Sequence, residues 1–192
     1  MSKTPSTMLE LGTTAPAFEL FNPTSGDHDS IADINSKGVV VAFICNHCPY
    51  VVLIMEKFSE IATAYQAKGI EFIAINSNDV ANYPDDSPEK MVEFAKQYNL
   101  TFPYLFDEDQ SIAKAYQAAC TPDLFLFDAD KKLTYRGQFD AARPKADTEI
   151  NGADLTAAMD ALLSNQAAPE PQLASLGCNI KWKEGNEPSY FG

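Results

Sequence analysis

Two near-continuous apolar runs of strand length, Val39-Val40-Val41-Ala42-Phe43-Ile44 and Ile70-Glu71-Phe72-Ile73-Ala74-Ile75, constrain this chain most. A strand buried on both faces reads as a continuous apolar run rather than an alternating one. Between the runs, Leu53, Met55, Phe58, Ile61, Ala62 and Tyr65 recur near helical spacing, from Tyr50 to about Tyr65. Strand, helix and strand in that order imply a parallel pair with a crossover helix. The first strand runs from Gly38 to Cys45. Further along, Leu124-Phe125-Leu126-Phe127, the turn Asp128-Ala129-Asp130-Lys131 and Leu133-Thr134-Tyr135-Arg136-Gly137 read as a hairpin. The class is therefore α/β, with a central mixed sheet flanked by helices.

The remaining elements are shorter. Residues 16–21 form a short strand, followed by a turn cluster from Asn22 to Asp27 and a connector from Ser30 to Asn35. Ser87 and Pro88 read as an N-cap and first helical residue, and Met91, Phe94, Ala95 and Tyr98 lie on one face of the helix that follows. Ser111–Ala118 and Asp154–Leu163 are further helices. Asp85-Asp86 reads as part of a solvated loop. Ala167-Ala168-Pro169-Glu170-Pro171 starts a tail.

A chain of 192 residues reads as one domain, 1–192, with a core over about 12–165 and a tail over 166–192. The formal net charge of −13 argues against binding nucleic acid or an anionic membrane, and solubility accounts for it. The N-terminus has no apolar stretch of signal-peptide length, and no apolar run approaches the ~20 residues of a membrane span. The expected location is cytoplasmic. Four cysteines are too few for a disulfide scaffold in a chain of this size.

Chemistry concentrates at Cys45-Asn46-His47-Cys48, where the first buried strand gives way to the helix. In sheets of this kind ligands gather beyond the carboxyl ends of the parallel strands, where the exit Asn76-Ser77-Asn78-Asp79 also falls. A helix N-terminus favours an anion. In a C-x-x-C at such a place a thiol pKa falls from about 8.5 into a range of about 3.5–7.5. The pair then cycles between dithiol and disulfide. A zinc half-site has the same spacing but needs a second ligand pair. Cys120 and Cys178 stand alone, and the other histidine is His28. Redox chemistry therefore ranks first. A Cu(I)- or Zn(II)-binding module using Cys45, His47 and Cys48 ranks second, and inert core thiols third. The leading reading calls for no organic cofactor and no metal.

The order of elements resembles the thioredoxin superfamily. Val41-Ala42-Phe43-Ile44-Cys45-Asn46-His47-Cys48-Pro49-Tyr50-Val51 is similar to the signature of its peroxiredoxin-like redoxin branch, related to the alkyl hydroperoxide reductase and thiol-specific antioxidant group. Residues 74–79, Ala119-Cys120-Thr121-Pro122-Asp123, Tyr135-Arg136-Gly137-Gln138 and Gly177-Cys178-Asn179-Ile180-Lys181-Trp182-Lys183 match as well. The resemblance implies a thioredoxin-like fold and a thiol–disulfide oxidoreductase acting on protein or small-molecule disulfides and thiols, with a thiol reductant system. Cys45 would be the attacking thiol, nearest the helix N-terminus and most exposed, and Cys48 the buried resolving thiol. His47 either stabilises the thiolate or is an inert exposed residue; Asn46 replaces the usual proline or glycine. Pro122 would be cis, although only about 5–6% of such bonds are, leaving the Thr121 backbone to pair with an extended substrate.

A peroxidase reading competes, with Cys48 as the reactive cysteine. In it Cys45 stands in place of the motif's threonine, Val41 in place of its proline, and Arg136 or Arg143 approaches in space. Cys120 is either a second redox partner or a buried small hydrophobe. Cys178 is either a resolving thiol or part of the tail's packing. Arg136, Asp140 and residues 76–79 either line the site or serve in turns. A redox-inactive interaction protein on the same fold is the last alternative. Oligomeric state is not assigned.

Overall fold

The structure is a computed structural model and describes residues 3–191. Its strands are β1 (Lys3–Pro5), β2 (Glu19–Phe21), β3 (His28–Ser30), β4 (Gly38–Phe43), β5 (Ile70–Asn76), β6 (Tyr104–Phe106), β7 (Cys120–Thr121), β8 (Asp123–Asp128), β9 (Leu133–Gly137) and β10 (Leu176–Asn179). The helices are α1 (Pro49–Gln66), α2 (Pro88–Gln97), α3 (Ser111–Ala115) and α4 (Ala153–Leu163).

Seven strands form a mixed sheet in the order β3-β2-β6-β5-β4-β8-β9. The two apolar runs pair in parallel as expected, from Gly38 opposite Ile70 to Phe43 opposite Ile75. The hairpin supplies β8, antiparallel to β4, and β9 beyond it. All six residues of β4 are buried because the strand is central and both of its faces are covered. Val40 and Ala42 face one apolar cluster with Phe58 and Met55 of α1, Phe72, Leu124, Leu126 and Met159 of α4. Val39, Val41 and Phe43 face the other, with Ile73, Ile75, Tyr116, Phe125 and Phe127. That split is the two-residue period of a strand. Phe58 meets Phe72 and Phe102 edge to face at 5.7 and 5.8 Å, a geometry that adds about 0.5–1.5 kcal/mol per pair beyond area burial.

A second, three-stranded sheet has the order β1-β10-β7, antiparallel throughout. The stretch read from sequence as a tail thus places a strand between the N-terminal residues and the segment leading into β8. Gly177 permits the approach: a Cβ there would lie 2.0 Å from the Thr121 carbonyl oxygen. The Thr121–Pro122 bond is cis, as the resemblance implies. Ser87 caps α2, its Oγ accepting from the Lys90 N–H at 3.4 Å, with Pro88 in the first turn. No helix among the described residues is long and apolar enough to cross a membrane.

Candidate active site

The site forms where β4 ends. Ile44 still follows the strand, its N–H donating to the Ile75 carbonyl at 3.0 Å. Residues 45–48 then turn, and Cys48 becomes the N-cap of α1 with Pro49 next to it. The Val51 and Val52 N–H groups donate to the Cys48 carbonyl at 3.0 and 2.9 Å. Pro49 is tolerated because first-turn N–H groups have no intrahelical partner to lose.

Three sulfurs meet here. Cys48 Sγ lies 2.8 Å from Cys178 Sγ and 3.2 Å from the Thr121 carbonyl oxygen, and Cys45 Sγ lies 3.4 Å from Thr121 Oγ1. The 2.8 Å separation exceeds the ~2.05 Å of an S–S bond, so Cys48 and Cys178 touch without being joined. Cys45, Cys48 and Cys178 are 2%, 0% and 2% exposed. Cys45, expected to be the most exposed of the pair, is itself buried and exceeds Cys48 in exposure only marginally. Thr121 covers its sulfur, and Asp86 fixes the backbone of the turn beside it. The thiol nearest the helix N-terminus is Cys48, the N-cap itself.

Charge follows the same geometry. Cys178 and then Cys45 act as thiol donors to Cys48, and together they hold its pKa well below the usual thiol range against the cost of burial. The Thr121 carbonyl only accepts and favours the protonated form, but it is one acceptor against two donors. The converse interaction with Cys48 pushes Cys45 up, reinforced by burial and by the Asp86 charge. Cys178 is raised by Cys48 and by burial. In the reduced state these contacts favour ionisation of Cys48, the central sulfur, over Cys45.

Asp86, read from sequence as solvated, is completely buried, because its carboxylate collects the polar groups of the turn. The Asn46 N–H donates to Oδ1 at 2.8 Å and Asn78 Nδ2 to Oδ2 at 2.7 Å; His47 Nδ1 forms an ion pair with Oδ2 at 2.8 Å. Asn76 Nδ2 donates to the Asp86 carbonyl at 2.8 Å. The polar exit of β5 is thus buried and holds Asp86 in place. Asp86 raises the His47 pKa from its ordinary value, with burial opposing it. The imidazole stacks on Tyr83, 5.9 Å between centroids and 6° between planes. Asn46 donates to the Asp85 carbonyl at 2.9 Å and accepts from the Tyr104 hydroxyl at 3.0 Å, bonds that neither proline nor glycine has a side chain to make.

The other candidates fall around this centre. Pro122 lines a small hollow with Tyr50, Asp140, Arg143 and Leu176. The Thr121 backbone, expected to meet a substrate, is paired instead with the chain's own β10, opposite Cys178. Cys120 lies opposite Asn179, 3.5 Å from the Pro122 carbonyl, and burial raises its pKa. Arg136 does not join the sulfurs. Its N–H groups bond Gln172, with the guanidinium at 2.6 Å. Arg143 donates to the Asp140 and Ala142 carbonyls at 2.9 and 2.7 Å. Among the described residues, the donor set compatible with a metal is Cys45, His47 and Asp86, whose ligand atoms lie within 4.8 Å of one another; Cys48 is not part of it. Asp123, not singled out from sequence, is completely buried after Pro122. Its Oδ2 accepts from the Ala119 N–H at 3.1 Å, and burial pushes its pKa up to about 7.

A parallel β–α–β unit with a C-x-x-C at its strand-to-helix junction, facing a cis-proline, defines a dithiol protein of thioredoxin-like fold. More specifically, the chain belongs to the AhpC/TSA family, which matches residues 11–136. Thiol-disulfide oxidoreductase ResA of Geobacillus thermodenitrificans is 31% identical over 130 residues, 68% of this chain and 70% of that protein. The crystal structure of an uncharacterized conserved protein from Geobacillus kaustophilus shares 47% identity and a TM-score of 0.93, over 95% of this chain and 97% of that one. A Chlorobium tepidum structure described as a thiol:disulfide interchange protein DsbE matches in fold, with 22% identity, a TM-score of 0.65 and 81% and 99% coverage.

Proposed function

We propose that the chain is a thiol–disulfide oxidoreductase that works through Cys45 and Cys48. The observation that carries this reading is the contact between the two thiols at the N-terminus of α1, which favours ionisation of Cys48 over Cys45. The names of the ResA relatives support it. Cys45 passes its proton to the Cys48 thiolate and attacks a disulfide substrate, forming a mixed disulfide and releasing one substrate thiolate. That thiolate takes the proton from Cys48. The restored Cys48 thiolate attacks Cys45 Sγ, closing the Cys45–Cys48 disulfide and releasing the second substrate thiolate. The substrate gains two electrons and the pair loses two. His47, held by Asp86, adds positive charge beside the pair when it is protonated, a form that Asp86 favours.

Equilibration in glutathione buffers tests this, with acid trapping and mass spectrometry of the thiols. A reversible two-electron couple that yields a Cys45–Cys48 disulfide is expected, and that disulfide is absent in Cys45→Ser and in Cys48→Ser. Full disulfide reductase activity in Cys45→Ser would sink the reading. The charge on Cys48 favours one second reading, a thiol peroxidase centred on that sulfur. Val41 in place of the motif proline and the Gln172 bonds of Arg136 weigh against it. Loss of peroxide turnover in Cys48→Ser but not in Cys45→Ser would support it.

A further inference from the structure

We propose that Cys178 is a third redox sulfur of this site, to which Cys48 passes the disulfide it first forms with Cys45. The proposal rests on the dithiol reading above and extends it. Cys48 Sγ is 2.8 Å from Cys178 Sγ, so it touches both thiols and is the only one of the three placed to exchange between them.

The backbone delivers Cys178 to that position and holds it there. In the register of β10 against β7, Cys178 is opposite Thr121, the residue whose hydroxyl and carbonyl touch Cys45 and Cys48. On its other edge β10 pairs with β1, Lys3 opposite Cys178. The flanks are tied down as well. The Ser6 N–H donates to the Ser175 carbonyl at 2.9 Å, Ser175 Oγ to the Gly137 carbonyl at 2.6 Å, and the Lys181 N–H to Asn78 Oδ1 at 2.8 Å. Any side chain at residue 177 would collide with the Thr121 carbonyl, so the glycine before Cys178 sets how near β10 can come.

The exchange needs no further oxidant, since the disulfide substrate has already supplied the Cys45–Cys48 bond. The Cys178 thiolate attacks Cys48 Sγ. The Cys48–Cys178 bond forms, the Cys45–Cys48 bond breaks, and the electron pair leaves on Cys45. Cys45 takes up the proton that Cys178 gave up, and the number of disulfides stays at one. In the reduced state the Cys48 charge holds Cys178 protonated. Once Cys48 is in a disulfide that charge is gone, and Lys181, which favours the thiolate, remains. The outcome is a chain that stores the oxidising equivalent between α1 and β10 while Cys45 is again a thiol.

Disulfide mapping tests the proposal. The whole chain is oxidised with glutathione disulfide, quenched in acid, alkylated and digested with trypsin. Cys45 and Cys48 share the peptide 38–57 and Cys178 lies on 146–181, so fragmentation assigns the partner. The expected result is a crosslink between the two peptides through Cys48, with Cys45 alkylated, in the unmodified protein. The same crosslink is expected in Cys45→Ser, and none in Cys178→Ser or Cys178→Ala. Glutathione on Cys48 with Cys178 alkylated in Cys45→Ser would overturn the proposal. So would a Cys45–Cys48 bond as the sole product in the unmodified chain, and that result would leave the oxidoreductase reading standing. Absence of any intramolecular disulfide in the unmodified chain would overturn both.

Discussion

Two buried carboxylates, Asp123 and Asp86, are open to test one residue at a time. Asp123 has its pKa raised to about 7 by burial, above its value in the unfolded chain. Between about pH 4 and pH 7 the unfolded chain loses this proton while the folded chain keeps it, so stability falls as pH rises through that window. A shift of about three units corresponds to roughly 4 kcal/mol. Asp123→Asn is expected to remove this fall, and urea denaturation at pH 5 and pH 8 reads it; an unchanged pH dependence would contradict the assignment. Asp86 acts through His47, whose folded pKa is raised. The stabilisation from that pair is complete below the unfolded histidine value of ~6.5 and is lost as pH rises through the folded value. In Asp86→Asn the His47 pKa is expected to fall, which an NMR titration of the imidazole reads. A His47 titration unmoved by Asp86→Asn would show that the ion pair does not hold the imidazole. The cysteine pair and His47 were legible in the sequence because their meaning lies in spacing and in the strand-to-helix junction. Asp86 was not legible. It lies in a polar loop, and its burial depends on Asn76 and Asn78, side chains from the end of another strand.

At the scale of the element, the legible parts were those with a period or a cap. β4 and β5 announced themselves as apolar runs, α1 by its helical spacing, α2 by Ser87 and Pro88, and β8 and β9 by the turn between them. β3, β6 and β10 span three or four residues, too few for a period, and His28-Asp29-Ser30 and Leu176-Gly177-Cys178-Asn179 are not apolar runs. Their pairing is decided by the neighbours they meet. For β10 that meeting hinges on Gly177, which gives a direct test. Gly177→Ala puts a methyl group against the Thr121 backbone, and overpacking of this kind costs about 1–3 kcal/mol. The variant is expected to melt lower and to expose Cys178 to faster alkylation by iodoacetamide. If melting and alkylation both match the unmodified protein, β10 does not need that close approach.

The whole molecule closes around residues 172–190. Gln172 bonds Arg136, and Ser175 bonds the end of β9. Cys178 enters one apolar cluster, and Ile180 and Trp182 enter the other. The Lys183 N–H donates to Gln110 Oε1 at 2.9 Å, and the Tyr190 hydroxyl donates to the Ala118 carbonyl at 3.1 Å. The C-terminal residues therefore bridge both faces of the central sheet. Deleting residues 172 onward would expose the surfaces that Cys178, Ile180, Trp182 and Tyr190 now cover, and would strip Gln110 of its Lys181 and Lys183 partners. Large apolar side chains contribute about 1.5–3 kcal/mol each on burial, so the loss is on the order of 5 kcal/mol or more. That is comparable to the ~5–15 kcal/mol by which domains are stable. The shortened chain is expected to lose its cooperative thermal transition, followed by circular dichroism. In the full chain the fluorescence of Trp182, the only tryptophan, should change in the same transition as the secondary structure. A deletion variant that melts cooperatively at the full-length temperature, or a Trp182 signal that changes well before the helices unfold, would show that these residues fold apart from the sheet they cover.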